Sequence, residues 1–200
     1  MENNFDPRPV LLEGHHIRLE PLAQRHAVAL FAAGQTPAIW RWLSIPMSAT
    51  VADVENWIAE ALRAQATGAE VAFAIVRRSD GVAVGSTRYL DIRRPHRALE
   101  IGWTWLAREA QRTAVNTEAK LLLLTHAFEV HGAVRVQLKT DERNAQSRAA
   151  ISRLGAAFEG ILRNYQTRPY DGYVRHTAMF SITAAEWPTA KAGLVAKLTR

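Results

Sequence analysis

Cysteine is absent from all 200 residues. That excludes disulfides, thiolate metal sites and any cysteinyl acyl-enzyme, so whatever chemistry occurs here is not thiol chemistry of the protein. Long apolar runs are absent too: nothing approaches the ~20 residues a membrane span needs, and even LLLL at 121–124 lies between Lys120 and His126. The start, MENNFDPRP, carries acidic residues and prolines where a secretory signal would place a basic and then an apolar segment. The expectation is a soluble, cytoplasmic protein. No repeat, low-complexity tract or linker rich in Gly, Ser or Pro divides the chain, so one domain is expected over 1–200, with its core at about 15–184 and a terminal helix over 185–200. The last scarcity is local. QRTAVN, residues 111–116, leads into a strongly helical run without a single glycine.

The charge is +6, from 25 Lys and Arg against 19 Asp and Glu. It favours an anionic partner, which leaves nucleic acid, an acidic protein or a phosphorylated small molecule. Nucleic acid has the least support, because no stacking aromatics interleave with the basic residues and no recognition helix is evident. Membrane binding has none.

Periodicity gives the order β α α β β β α β α β β α. HIRLEPL alternates as a strand, RHAVALFAAG is a short helix, and SATVADVENWIAEALRAQATG is a capped helix with Val54, Trp57, Ile58, Ala61 and Leu62 as its stripe. A hairpin turns at Asp80 and Gly81, and ALEIGWTWL at 98–106 is a strand with Leu99, Ile101, Trp103 and Trp105 expected on one face and Glu100, Gly102 and Thr104 on the other. A buried helix runs from Thr117 to Val130; AVRVQLKT is a strand, and a helix capped by Asn144 follows. A second hairpin around Asp171 and Gly172 precedes the terminal helix. Helices interleaved with hairpins predict an α/β (α+β) fold: a mixed, mostly antiparallel central sheet with helices on both faces.

Three local features point to a ligand. A helix start presents unpaired N–H groups and partial positive charge, which suits a phosphate. In QRTAVN, Ala114 and Asn116 would permit the tight turn, Asn116 by visiting the left-handed region, and Arg112 would add charge; the ordinary alternative is a loop capped by Asn116 or Thr117. Gly102 inside a regular strand suggests a bulge, and a bulged strand leaves main-chain groups open to an extended, amide-containing molecule. Asn144 and Ser147, one turn apart, offer donors along the same cleft, or serve simply as a cap and a solvent-facing residue.

The segments EIGWTWL, QRTAVNTEAKLLLLTHAFE, RVQLKTDERNAQSRAAISRLGA, FEGILR and DGYVRHTAMFSI resemble the GCN5-related N-acetyltransferases, in the branch similar to the RimJ/RimL-type ribosomal-protein alanine acetyltransferases. The resemblance spans roughly 17–187 and is sharpest over 143–160. In the family's pyrophosphate loop, Gln111 falls on the first position, while Ala114 and Asn116 replace the two glycines. The resemblance implies an acyl-CoA N-acyltransferase fold, acetyl-CoA as cofactor and direct attack of a primary amine on the thioester. The amine would belong to a protein N-terminus, a peptide or a small molecule. It implies cofactor contacts from Trp105, Leu106, Gln111, Arg112, Thr113, Ala114, Val115, Asn116, Thr117, Asn144 and Ser147. Glu100 is the candidate base, a surface carboxylate paired with Arg97 or Arg88 being the alternative. Ser147 would protonate the departing thiolate and a backbone N–H near Thr104 or Trp105 would steady the carbonyl oxygen. Trp40 and Trp42 would wall the acceptor cleft, with core packing the alternative for at least one. An acyl-CoA-binding protein without efficient turnover is the competing reading, motivated by the glycine-free loop. No metal is expected, since His126 and His131 are five apart rather than four. Tyr165, Tyr170 and Tyr173 would suit an acceptor or a second subunit, which leaves a homodimer open.

Overall fold

A computed structural model describes residues 5–199. Residues 1–4 and 200, the ends of the expected 1–200 domain, lie outside the described residues. The elements are β1 (Leu12–Glu13), β2 (Ile17–Pro21), α1 (Ala27–Ala33), α2 (Pro37–Trp40), α3 (Val51–Ala66), β3 (Val71–Arg77), β4 (Ala83–Arg93), β5 (Ala98–Leu106), α4 (Ala114–Thr125), β6 (Arg135–Asp141), α5 (Ala145–Ser152), β7 (Ala157–Thr167), β8 (Val174–Thr183) and α6 (Trp187–Leu198). Their order is the expected one with two additions, β1 and the one-turn α2.

The strands form one eight-stranded sheet in the order β1-β2-β3-β4-β5-β6-β8-β7. Every pairing is antiparallel except that of β5 with β6. One apolar layer joins Leu99, Ile101 and Leu106 of β5 to Leu123 and Leu124 of α4 and Leu194 of α6. The other joins Trp105 to Leu30 of α1, Trp40 of α2 and Val54, Ile58 and Ala61 of α3. Helices therefore cover both faces, as the interleaved periods predict.

The parallel pair positions the site. Strands β5 and β6 are in register only at Ala98↔Arg135, Leu99↔Val136 and Glu100↔Gln137. Beyond Glu100, β5 continues beside β4 as far as Leu106, while β6 continues beside β8 as far as Asp141. The sheet forks there, and each inner edge loses its strand partner. A bulge helps to open the fork: between the pairs Ser86↔Trp105 and Arg88↔Gly102, β5 carries one extra residue, and Trp103 takes the left-handed φ of 50°.

The bulge also overturns the expected facing of β5. An extra residue inverts the alternation, so Leu99 and Ile101 face α4 but Trp105 faces α3. Trp103 turns the same way as Trp105, since the Arg88 guanidinium lies between its ring and that of Trp57, 5.0 and 4.9 Å from the centroids. Thr104 instead turns to α4, accepting a hydrogen bond from Lys120 Nζ at 2.6 Å.

Candidate active site

The fork is flanked on one side by the start of α4. A 3-10 turn at Arg108–Ala110 leads through extended Gln111 to Arg112, whose φ is 60°. The left-handed residue of this loop is thus Arg112, not Asn116. Nor do Asn116 or Thr117 cap the helix. The Thr113 hydroxyl accepts from Val115 N–H at 3.3 Å and donates to the Ala110 carbonyl at 2.8 Å, so α4 begins three residues early and both lie inside its first turn. The result is still a helix start facing the fork, with first-turn N–H groups beyond the reach of intrahelical carbonyls. The Gln111 side chain bridges the flank, donating to Leu106 O at 3.0 Å and accepting from Gln146 of α5 at 3.4 Å.

Several expected cofactor contacts are limited to main chain. Trp105, Leu106 and Val115 bury their side chains in the two apolar layers. Ala114 leaves the α4 N-terminus uncrowded, and Arg112 and Thr113 are exposed. Holding the flank from behind is Glu118, a buried carboxylate that accepts the N–H groups of His15, His16 and Ile17 at 2.7, 2.7 and 2.8 Å. Glycine at position 14 is required by this contact, because a Cβ there would collide with the carboxylate.

At the crotch of the fork, Glu100 is buried, 1% exposed. Its partners are neither Arg97 nor Arg88. Lys139 Nζ approaches Oε2 at 2.8 Å and Gln137 donates to the same oxygen at 3.2 Å, while Arg88 is paired with Glu70 at 2.7 Å. These partners come from β6, which register alone brings beside β5. The other oxygen, Oε1, lies where a side chain at position 102 would go, 2.7 Å from a Cβ placed there. Gly102 therefore makes room for the Glu100 carboxylate as well as for the bulge. Beneath the fork, Lys120 reaches the Thr104 and Thr87 hydroxyls at 2.6 and 3.4 Å; burial pulls its amine down to about 7.

Across the fork, Asn144 caps α5 as expected, its Oδ1 accepting from Ser147 N at 3.1 Å. Ser147 is in the first turn and half-buried, with its hydroxyl unbonded among the described residues. A developing anion at such a place is favoured by the helix start.

The two tryptophans separate. Trp40 does not wall the cleft: it is 7% exposed, packs at a tilt against Trp105 with ring centroids 5.1 Å apart and donates its indole N–H to Gly34 O at 2.7 Å. Trp42 lines a recess together with Ser44, Asp141, Gln166, Arg168, Tyr173 and Arg175. The recess is roofed by two bonds between the 41–44 turn and the β7–β8 hairpin, Gln166 Nε2 to Ser44 Oγ at 2.9 Å and Arg168 to Arg41 O at 2.7 Å.

Asp141 and Arg175 were not singled out in the sequence. Asp141, 1% exposed, accepts from Tyr173 OH at 2.9 Å and from Arg143 N–H at 2.9 Å. Burial and the Asp141 carboxylate raise the Tyr173 phenol above its ordinary value. Burial lowers the Arg175 guanidinium, with Asp141 and Glu100 opposing. The period of two puts Lys139 and Asp141 on one face of β6, but only the β6–β8 register brings Arg175 to them. Among the described residues no group of three or more His, Cys, Asp or Glu could hold a metal ion, and no helix is long and apolar enough to cross a membrane.

This arrangement suits one kind of ligand: a long molecule with phosphates for the α4 start, amides for the open β5 edge and a reactive end at the crotch. Comparison with known proteins agrees. The family model for the acetyltransferase (GNAT) domain matches residues 16–157. A solved acetyltransferase from T. thermophilus is 37% identical, covering 96% of this chain and 98% of that one, with a TM-score of 0.87. A GCN5-related N-acetyltransferase from Brucella melitensis is 31% identical over 96% of this chain and 86% of its own, with a TM-score of 0.89. A Vibrio cholerae protein described as a ribosomal-protein-serine acetyltransferase shares the fold at 20% identity, covering 88% and 99% of the two chains with a TM-score of 0.74. No curated protein matches the chain. With the matched domain spanning most of its length, the chain belongs to the GCN5-related N-acetyltransferase family, and its activity is acetyl transfer dependent on acetyl-CoA.

Proposed function

We propose that the protein moves the acetyl group to a primary amine by direct attack within a ternary complex, in the manner of the RimJ/RimL-type branch. The acceptor would be a protein N-terminus, a peptide or a small amine. The observation that carries the proposal is the fork beyond Glu100 and Gln137, where β5 leads to the α4 start and β6 leads to Asp141, which lines a small recess with Trp42. Direct transfer requires two ligands to meet at one point from separate approaches, and the crotch is assigned that role. The likeness to the Vibrio cholerae protein, named for a ribosomal-protein acceptor, motivates the branch.

When bound, acetyl-CoA supplies an activated carbonyl. The chain's residues do the rest. The first-turn N–H groups of Ala114, Asn116 and Thr117, with Arg112 and the Gln111 side chain nearby, are assigned to the pyrophosphate. The open edge of β5 at Trp105 and Leu106 and the amide of Asn144 are assigned to the pantetheine, with Thr113 and Val115 shaping the loop. Glu100 receives the amine proton, directly or through water, at Oε1, the oxygen Lys139 and Gln137 leave open. The Ser147 hydroxyl hands a proton to the leaving sulfur and regains one, through water, from the nitrogen that becomes the amide, and a β5 backbone N–H at Thr104 or Trp105 steadies the carbonyl oxygen. One domain working in the cytoplasm, as a monomer or a homodimer through the β7–β8 hairpin, completes the reading.

Incubation with acetyl-CoA and a panel of amines, following free thiol, tests it. Thiol release that needs both protein and amine is expected. Tight acetyl-CoA binding with no release across peptides, amino acids and polyamines would instead make the protein an acyl-CoA binder.

A further inference from the structure

The recess beside the fork carries more positive charge than its own carboxylates balance. Arg143 and Arg168 stack on Tyr173 at 4.4 and 4.9 Å, and Arg41 stacks on Trp42 at 4.8 Å. Arg168 is held by Asp171, and Arg143 by Asp141 at 3.5 Å. Arg175 is different. Its guanidinium makes no hydrogen bond or ion pair among the described residues, and its Nε is shut away from solvent with no partner. The charges facing it are Asp141 and Glu100, with the Tyr165 and Tyr173 phenols beside them. Asp141 is already engaged by Tyr173 OH and Arg143 N–H, and Glu100 through Oε2 by Lys139 and Gln137. A guanidinium offers five N–H donors in a fixed fork that matches an oxyanion, and a half-buried one without a partner is suited to receive such a group.

Resting on the acceptor assignment above, we infer that Arg175 anchors an oxyanion carried by the acceptor, so that the preferred substrate is an amine bearing a carboxylate or phosphate a few bonds from its nitrogen. Facing Glu100 and Asp141, the ammonium end lies toward the crotch. The anionic end lies toward Arg175, beside the Arg143 guanidinium that stacks over both Trp42 and Tyr173. Such an acceptor is oriented at both ends, which a plain amine is not.

The test compares matched acceptors that differ only in the anion: amino acid amides against free amino acids, and a Ser-Asn peptide amide against its Ser-Asp and Ser-phosphoserine counterparts. For the wild-type protein, at least one anionic member is expected to exceed its neutral partner by about 10- to 100-fold in kcat/KM, chiefly through KM. The series in which this appears identifies the source of the oxyanion. In Arg175→Met that ratio collapses toward one, and Arg175→Lys restores part of it. Thermal midpoint and acetyl-CoA affinity stay near wild type, since Arg175 holds no other side chain. Turnover indifferent to the anion in every series, or an Arg175→Met loss equal for neutral and anionic members, overturns the inference while leaving the acetyltransferase reading intact. No release with any amine overturns both.

Discussion

The two sides of the fork are built from different materials. The side toward α4 works through main chain: the helix start, the open edge of β5, and side chains such as Val115 and Leu106 that point away into the core. The side assigned to the acceptor presents side chains delivered by three distant segments, the 41–44 turn, the end of β6 and the β7–β8 hairpin. Every residue type has an N–H except proline, so a site made of main chain does not call for glycine at position 114 or 116. What it needs is backbone held in place. The second side depends on which side chains are present, and a preference among acceptors would be set there.

The largest effect should come from a residue that touches no ligand. Glu118 collects three buried N–H groups from the β1–β2 turn, so Glu118→Ala strands three donors and unties the start of α4 from the sheet. A loss of about 3–5 kcal/mol in unfolding free energy is expected from denaturant titration, with weaker acetyl-CoA binding in what remains folded. A loss below about 1 kcal/mol would mean that α4 is positioned by packing alone.

Next comes the one side chain on the cofactor side given a chemical task. Ser147→Ala removes a hydroxyl without disturbing the cap, because Asn144 bonds the Ser147 backbone N–H rather than its Oγ. Steady-state rates should fall about 100-fold in kcat with acetyl-CoA affinity within a few-fold of wild type. If affinity falls and kcat holds, Ser147 is only a contact, and the whole cofactor side is passive scaffold.

The same contrast governs how much the sequence discloses. Element order, a bulge near Gly102, the Asn144 cap and a helix following QRT are local, and periodicity with cap and turn residues reveals them. The facing of Trp103 and Trp105 is not, because one inserted residue reverses every later side chain, and Gly102 hints at a bulge without marking Trp103 as the residue that turns. Nor can QRTAVN disclose that Thr113 outcompetes Asn116 as the cap: both are good cap residues, and the 3-10 turn at Ala110, which supplies the Thr113 hydroxyl with an acceptor, decides. The partners of Glu100 and the placing of Arg175 depend on strand register across β5, β6 and β8. Trp40 and Trp42 look alike in IWRWLSIP, yet one turn of helix sends the first into the core and leaves the second in the recess.

The smallest predicted effect addresses the claim that backbone presentation, rather than glycine, makes the phosphate site. Thr113 fixes the loop twice, accepting from Val115 N–H and donating to Ala110 O. Thr113→Ala should cost about 1 kcal/mol of stability, the ordinary value of a helix cap. Freed from the cap, the first turn frays, and a pyrophosphate must restore its order on binding. Acetyl-CoA affinity measured by calorimetry should then weaken by about 5-fold, equivalent to the cap energy. Thr113→Ser, which keeps the hydroxyl, should restore both. Because the side chain is exposed at the loop surface, an unchanged affinity beside the expected stability loss would show that the phosphates are held by Arg112 and Gln111 side chains, and the cofactor side would then resemble the acceptor side after all.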